Sequence, residues 1–145
     1  MADRRAECVW EGNLAKGSGE TSIGSGAFGP VPVSWAARTE QPNGKTSPEE
    51  LLAAAHASCY CMALSHELTQ KGHPPTRLAA TSVVTIDRVD GAMTVTTSKL
   101  NVRGSVVGID QTGFQEAATA ASKGCPVSRA LGGVEVILES AILEA

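Results

Sequence analysis

The stretch Ser47-Pro48-Glu49-Glu50-Leu51-Leu52-Ala53-Ala54-Ala55-His56-Ala57-Ser58-Cys59-Tyr60-Cys61-Met62 decides how the chain is read. Ser47 can cap a helix, Pro48 suits the first helical position, and Glu50, three residues after the serine, completes a capping box. Alanine and leucine, both strong helix formers, follow. Leu52, Ala55, Cys59, Met62 and His66 recur at helical spacing, which predicts an apolar stripe turned to the core with Cys59 on it. The helix is expected to run to about Gln70, where Lys71-Gly72-His73-Pro74-Pro75 supplies a basic last turn, a glycine stop and two prolines. It is the one long helix of the sequence, and a thiol on its buried face is the first sign of function.

Upstream, residues 7–37 read as an antiparallel meander. Cys8, Val9 and Trp10 begin a strand, Gly12–Gly17 makes the turn, and a Gly/Ser-rich strand follows to about Gly26. A third strand is expected over Val31 to Ala37, with Arg38 at its end. Downstream, Leu78–Val89 is a Thr/Val/Ile-rich strand, Asp90-Gly91 signals a type I′ hairpin, and a long second strand returns. In that strand Met93 and Val95 share one parity and Leu100 and Val102 the other, which calls for a bulge or strong bend between them. Asp110 can cap a helix over Gln111–Lys123 that Gly124 stops. Cys125-Pro126 opens a further turn ending at Gly132-Gly133, and a last strand turns Val134, Val136 and Leu138 inward against Glu135 and Glu139. The order βββ-α-ββ-α-β is an α+β layout without the βαβ regularity of a nucleotide-binding sheet. No repeat or long linker divides it, so residues 1–145 are expected to form a single domain.

A chain of 145 residues can bury a proper core. Its formal charge of −3 and lack of a long basic run argue against nucleic acid or an anionic membrane as partner. Nothing approaches the roughly 20 apolar residues of a membrane span, and no apolar stretch follows Met1–Glu7 as in a signal peptide. A cytoplasmic location is the expectation, and Cys8, Cys59, Cys61 and Cys125 should then be thiols at rest. Aromatics are only 3% of the chain, so the core must come from Val, Leu, Ile and Ala.

Cys125 stands at the N-cap of its turn with proline after it. Free backbone N–H groups and the positive end of a helix dipole lower a thiol pKa there. Cys59 lies about three turns into its helix, where the dipole has faded, and would need a nearby cation instead. Cys61 sits about 200° around the helix from Cys59, so the two side chains diverge; Cys61 and Cys8 read as structural, buried thiols. His56, Cys59, Cys61, His66 and His73 are close in sequence, but Cys61 points away from the others and no Cys-x-x-Cys appears, so a four-ligand metal site is not expected. His56, one turn before Cys59, could touch the thiol, but a histidine that serves helix packing is the expectation. Ser58 and Ser128 have no recognisable base partner. The Gly12–Gly29 stretch lacks the lysine and following helix of a phosphate loop. No cofactor is expected.

Taken together, the motifs are familiar. Residues 47–59 with Met62-Ala63-Leu64 closely resemble the core of the osmotically inducible protein C (OsmC) family, and Gly124-Cys125-Pro126-Val127-Ser128 resembles that family's second cysteine motif at the matching distance. Val9-Trp10-Glu11-Gly12, Ala37-Arg38-Thr39-Glu40 and Val107-Gly108-Ile109-Asp110 extend the likeness over nearly the whole chain, and His56 favours the OsmC branch over the related organic hydroperoxide resistance (Ohr) branch. The resemblance implies a thiol peroxidase of oxidative and osmotic stress defence, with Cys59 as peroxidatic thiol, Cys125 as resolving thiol, and Arg38 and Glu49 in the active-site network. It also implies an intertwined homodimer with two sites at the interface. A guanidinium would supply the cation that Cys59 needs; a surface pair with Glu40 is the plain alternative for Arg38.

On that reading the Cys59 thiolate attacks a peroxide and becomes a sulfenic acid. Cys125 condenses with it to a disulfide, and an external dithiol restores both thiols; the related branch suggests a lipoylated protein. Apolar surroundings should favour organic hydroperoxides over hydrogen peroxide. Glu49 and Cys59 are ten residues apart on one helix, about 15 Å of rise, so Glu49 and Arg38 are expected to act on the partner's thiol. The competing expectations are a thiol–disulfide oxidoreductase, which would normally carry Cys-x-x-Cys, and a non-enzymatic dimer holding a hydrophobic ligand.

Overall fold

The computed structural model describes residues 1–145 throughout, in the order β1 (Ala6–Glu11), β2 (Ser18–Ile23), β3 (Val31–Val33), α1 (Trp35–Thr39), α2 (Pro48–Gln70), β4 (Pro75–Val89), β5 (Ala92–Val106), α3 (Gln111–Gly124), α4 (Pro126–Ala130) and β6 (Glu135–Leu143). Two compact units emerge, Met1–Leu51 and Leu52–Ala145. The class is α+β, as the sequence predicts, and no helix is long and apolar enough to cross a membrane.

In the first unit β1, β2 and β3 form an antiparallel meander. Its middle strand carries one glycine, Gly19, for a reason. A Cβ at Gly19 would stand 2.9 Å from the Trp10 ring, so the indole needs a glycine opposite it. The third strand is shorter than expected, because the hydroxyl of Ser34 accepts the Ala37 N–H at 3.1 Å and caps α1. Trp35, Ala36, Ala37 and Arg38 then coil, and Arg38 lies in the last turn of a helix rather than at a strand end. The second strand likewise stops at Ile23, before Gly26, which adopts φ 71° in a turn. At the start of α2, Ser47 accepts the Glu50 N–H at 3.2 Å as predicted. The Glu50 carboxylate instead accepts from the Thr46 hydroxyl at 2.9 Å, so only half of the capping box forms.

In the second unit the sheet order is β4-β5-β6. The β4–β5 hairpin turns on Asp90 and Gly91, whose φ values of 49° and 83° are those of the predicted type I′ turn. The strand β4 begins at Pro75, earlier than the expected Leu78. The bulge is where the parity change requires it. Thr85 pairs with Thr97 and Ile86 with Val95, which leaves Thr96 as the extra residue. Beyond it Ser98, Leu100, Val102, Gly104 and Val106 alternate onto the buried face. The strand β6 runs parallel to β5, reached through the α3–α4 crossover. Asp110 caps α3 by accepting the Gly113 N–H at 2.7 Å. The core joins Tyr60, Leu64 and Leu68 of α2 to Leu100, Val102 and Val106 of β5 and to Phe114, Ala117, Ala118 and Ala121 of α3. A Cβ at Gly104 would meet the Phe114 ring at 2.7 Å, so that glycine lets α3 lie close on the sheet.

The buried face of α2 is not the predicted one. His56, Tyr60, Leu64 and Leu68, four residues apart, face the core, whereas Ala55, Met62 and His66 are exposed and Leu52 and Cys59 half-buried. This helix is apolar or small around most of its circumference, so helical period alone fits more than one stripe. The larger Tyr60, Leu64 and Leu68 fill the space over the sheet.

Candidate active site

Cys125 occupies the corner between α3 and α4, capping the second helix with Pro126 at its first position. It is fully buried, and Cys59 on α2 is half-buried beside it. The two thiols are near enough for each to shift the other's ionisation. Burial opposes ionisation of Cys125, but the Ser128 N–H, the Cys59 thiol, the Val127 N–H and the Ser128 hydroxyl outweigh it and hold the Cys125 pKa below its ordinary value. For Cys59 the balance is reversed. Burial raises its pKa, Cys125 raises it further by drawing on its S–H, and the Val127 N–H offsets only part. Within one chain Cys125 is therefore the more acidic thiol of the pair, as the helix N-cap argument predicts.

His56 stands one turn before Cys59, fully buried. Its Nδ1 is 2.7 Å from Ser98 Oγ on β5 and its Nε2 is 2.8 Å from Ser128 Oγ on α4. Ser98 Oγ is in turn 3.0 Å from Ser82 Oγ on β4. Burial lowers the His56 pKa, which keeps the ring neutral. The expectation that Ser128 has no base partner is thus overturned: fold contacts join residues 72 positions apart that no local motif links. His56 is held by hydroxyls rather than by simple helix packing.

Arg38 and Glu49 meet in the first unit. Arg38 Nε is 2.9 and 3.1 Å from the two Glu49 carboxylate oxygens, and Nη2 is 2.7 Å from Oε1. Glu49 is buried, and the guanidinium lies 5.8 Å over the Trp35 ring, a cation–π distance. Arg38 pairs with Glu49 rather than Glu40, because α1 and the first turn of α2 bring the forked donor to a buried carboxylate. Its Nη1 has no partner within the chain.

The family model described as OsmC-like protein matches residues 41–139. The peroxiredoxin OsmC of Escherichia coli K12 is 38% identical over 128 residues, which is 88% of this chain and 89% of that one. This chain belongs to the OsmC family. The peroxiredoxin OsmC of Shigella flexneri matches to the same extent. Among solved structures, an organic hydroperoxide resistance protein OsmC from Legionella pneumophila superposes with a TM-score of 0.73 at 21% identity, covering 98% of this chain and 99% of that one. The organic hydroperoxide resistance protein OhrB of Bacillus subtilis gives 0.68 at 23% identity, over 97% and 98% of the two chains. These two share the fold.

Within this OsmC fold the four residues singled out from sequence fall into two pairs, Cys59 with Cys125 and Arg38 with Glu49. Ser98 and Ser82 were not singled out. Their signal is parity, since Ser98 shares the inward side of β5 with Leu100 and Val102, a polar residue where an apolar one is expected. Cys61 is half-buried, with its pKa raised by burial, and behaves as a packing residue. Cys8 is exposed on β1, not buried as expected, because both faces of that strand are open in the single chain.

Proposed function

We propose that this OsmC-family chain is a cysteine-based peroxidase that reduces organic hydroperoxides more readily than hydrogen peroxide, with Cys59 taking the oxygen and Cys125 resolving it. The observation that carries the reading is the juxtaposition of Cys59 and Cys125, each of which shifts the other's ionisation. Family membership supports the peroxide chemistry, and the related proteins matched above are named peroxiredoxins or organic hydroperoxide resistance proteins. The assignment of roles follows from access. Cys125 is fully buried, so a peroxide reaches Cys59 first, although Cys125 is the more acidic thiol. A cation beside Cys59 reverses that order, so that Cys59 carries the charge and Cys125 the proton. The Cys59 thiolate then attacks the peroxide, the O–O bond breaks, an alcohol leaves, and a sulfenic acid remains. Cys125 closes the disulfide with loss of water, and an external dithiol, such as that of a lipoylated protein, reduces it by exchange.

The cation is Arg38 of a second copy of the chain. Its Nη1 is free to bond, and Glu49 fixes the fork. A homodimer is also supported by apolar surface left open in one chain: Met62 on α2 is 68% exposed and Val9 on β1 is 59% exposed. Two measurements test the reading. Turnover of cumene hydroperoxide should exceed that of hydrogen peroxide with a small dithiol as reductant; equal or absent turnover removes the substrate proposal. For the shared site, a Cys59→Ser subunit is co-expressed with an Arg38→Ala subunit under different tags. The purified heterodimer should recover about half the wild-type activity, since one of two sites is intact. A nearly dead heterodimer would place Arg38 on its own chain's site.

A further inference from the structure

The closing of the disulfide requires Cys125 to lose a proton in a place water does not reach. Cys125–SH and Cys59–SOH together give Cys59–S–S–Cys125 and water. The Cys125 sulfur supplies the electron pair of the new bond, the Cys59 S–O bond breaks with its pair on oxygen, and the leaving hydroxide is protonated by solvent. The thiol proton needs an exit. Ser128 follows Cys125 by three residues in the first turn of α4, and its hydroxyl lowers the Cys125 pKa. From there His56 Nε2 is 2.8 Å on, Ser98 Oγ is 2.7 Å beyond Nδ1, and Ser82 Oγ is 3.0 Å further. Ser82 is half-exposed, on the edge strand of its sheet. We propose that Ser128, His56, Ser98 and Ser82 are a proton relay that carries the Cys125 proton outward as Cys125 attacks the oxidised Cys59. This rests on the peroxidase reading and assigns positioning roles to four residues that the thiol chemistry alone does not use.

One order of donors runs the whole way. The Cys125 S–H donates to Ser128, the Ser128 O–H to His56 Nε2, the His56 Nδ1–H to Ser98, and the Ser98 O–H to Ser82. Moving each proton one place delivers the thiol proton to the far end, and the ring ends neutral with its nitrogens exchanged in role. The ring suits this because burial keeps it uncharged, leaving one nitrogen to accept while the other donates. The groups facing it are Ser98 of β5, Ser128 of α4 and, through Ser98, Ser82 of β4, with the Cys59–Cys125 pair beyond Ser128; no carboxylate or cation shifts its pKa. A fully buried histidine and serine also sit badly with a purely packing role. An apolar side chain of similar volume would fill the site without burying polar atoms, yet every buried polar side-chain atom here has a partner.

The test follows disulfide formation after rapid mixing with one equivalent of cumene hydroperoxide, quenching at intervals and separating oxidised from reduced chains. The profile runs from about pH 6 to about pH 9, spanning the histidine and thiol ranges. In Ser128→Ala and His56→Gln the step should slow by about tenfold or more near neutral pH. It should then climb with pH through the thiol range and approach the wild-type rate at the alkaline end, while Ser128→Thr keeps the wild-type profile. Should His56→Gln fail to fold, Ser128→Ala, at a half-buried site, carries the test. Variants that keep the wild-type profile, or that slow equally at every pH, overturn the relay. Absence of peroxide consumption by the wild-type chain would instead remove the peroxidase reading and the relay with it.

Discussion

The first unit and the second differ in how much apolar surface each buries for itself. In residues 52–145 eleven hydrophobic side chains form one cluster between α2, α3 and the β4–β5–β6 sheet. In residues 1–51 the buried positions are Gly19, Val33, Ser47 and Glu49, and β1 is exposed at every position. A three-stranded sheet that buries so little has little to hold it. The second unit therefore reads as a self-sufficient scaffold for two thiols, and the first as an arm that presents a guanidinium and a carboxylate. The proposed chemistry is divided the same way: thiols where the core is, the Arg38–Glu49 pair where it is not.

The largest expected effect tests whether both regions belong to one site. Cys59→Ser should abolish steady-state peroxide turnover, and Arg38→Ala should lower it by roughly 10²-fold or more, a typical loss when a preorganised charge donor is removed. Full activity in Arg38→Ala would make the arm a bystander. Next, Phe114→Ala should cost the second unit roughly 3–5 kcal/mol in denaturant unfolding, because the ring fills the space over Gly104. Val9→Ala in the first unit should act mainly through assembly, lowering Tm more as the protein is diluted; a Tm shift independent of concentration would contradict the arm's reliance on a partner.

A smaller effect comes from pH. The folded His56 pKa lies below its ordinary 6.5, so the folded chain binds fewer protons than the unfolded one between those values. Its neutral form contributes stability fully above pH 6.5, and that contribution is lost as pH falls from there toward the folded value. His56→Gln should flatten this part of the stability–pH curve, and an unchanged slope would show that burial does not shift the group. The smallest is capping. Asp110→Ala should cost about 1 kcal/mol in the second unit. Ser34→Ala should cost less in global unfolding, since α1 is a single short turn with no buried residue.

Much of the second unit was legible because its signals are local. The Asp90-Gly91 turn, the parity change that demands a bulge at Thr96, the Asp110 cap and the Cys125-Pro126 corner are each carried by a few adjacent residues. What escaped was set by contacts distant in sequence. The face of α2 depends on which large side chains fit the sheet, not on period. The His56–Ser98 and His56–Ser128 bonds span 42 and 72 residues, and Ser98 is visible beforehand only as a polar residue on an apolar parity. The Arg38–Glu49 pair depends on α1 forming where a strand was expected, a single serine cap that the β-rich neighbourhood disguised.

The parallel pairing of β5 with β6 sets an order of assembly. The β4–β5 hairpin closes over a two-residue turn and can form within microseconds, and α2 is locally favoured. The strand β6 must wait for the whole crossover, which carries Cys125, to fold back onto β5. During synthesis, then, Cys59 emerges before Cys125, on a helix still without the thiol proposed to resolve it. Oxidant arriving in that interval meets a cysteine that can be oxidised but not rescued by Cys125. On the proposed roles, the protein is thus most vulnerable to peroxide before its last strand is in place, and rapid docking of that strand protects the Cys59 thiol as much as it completes the sheet.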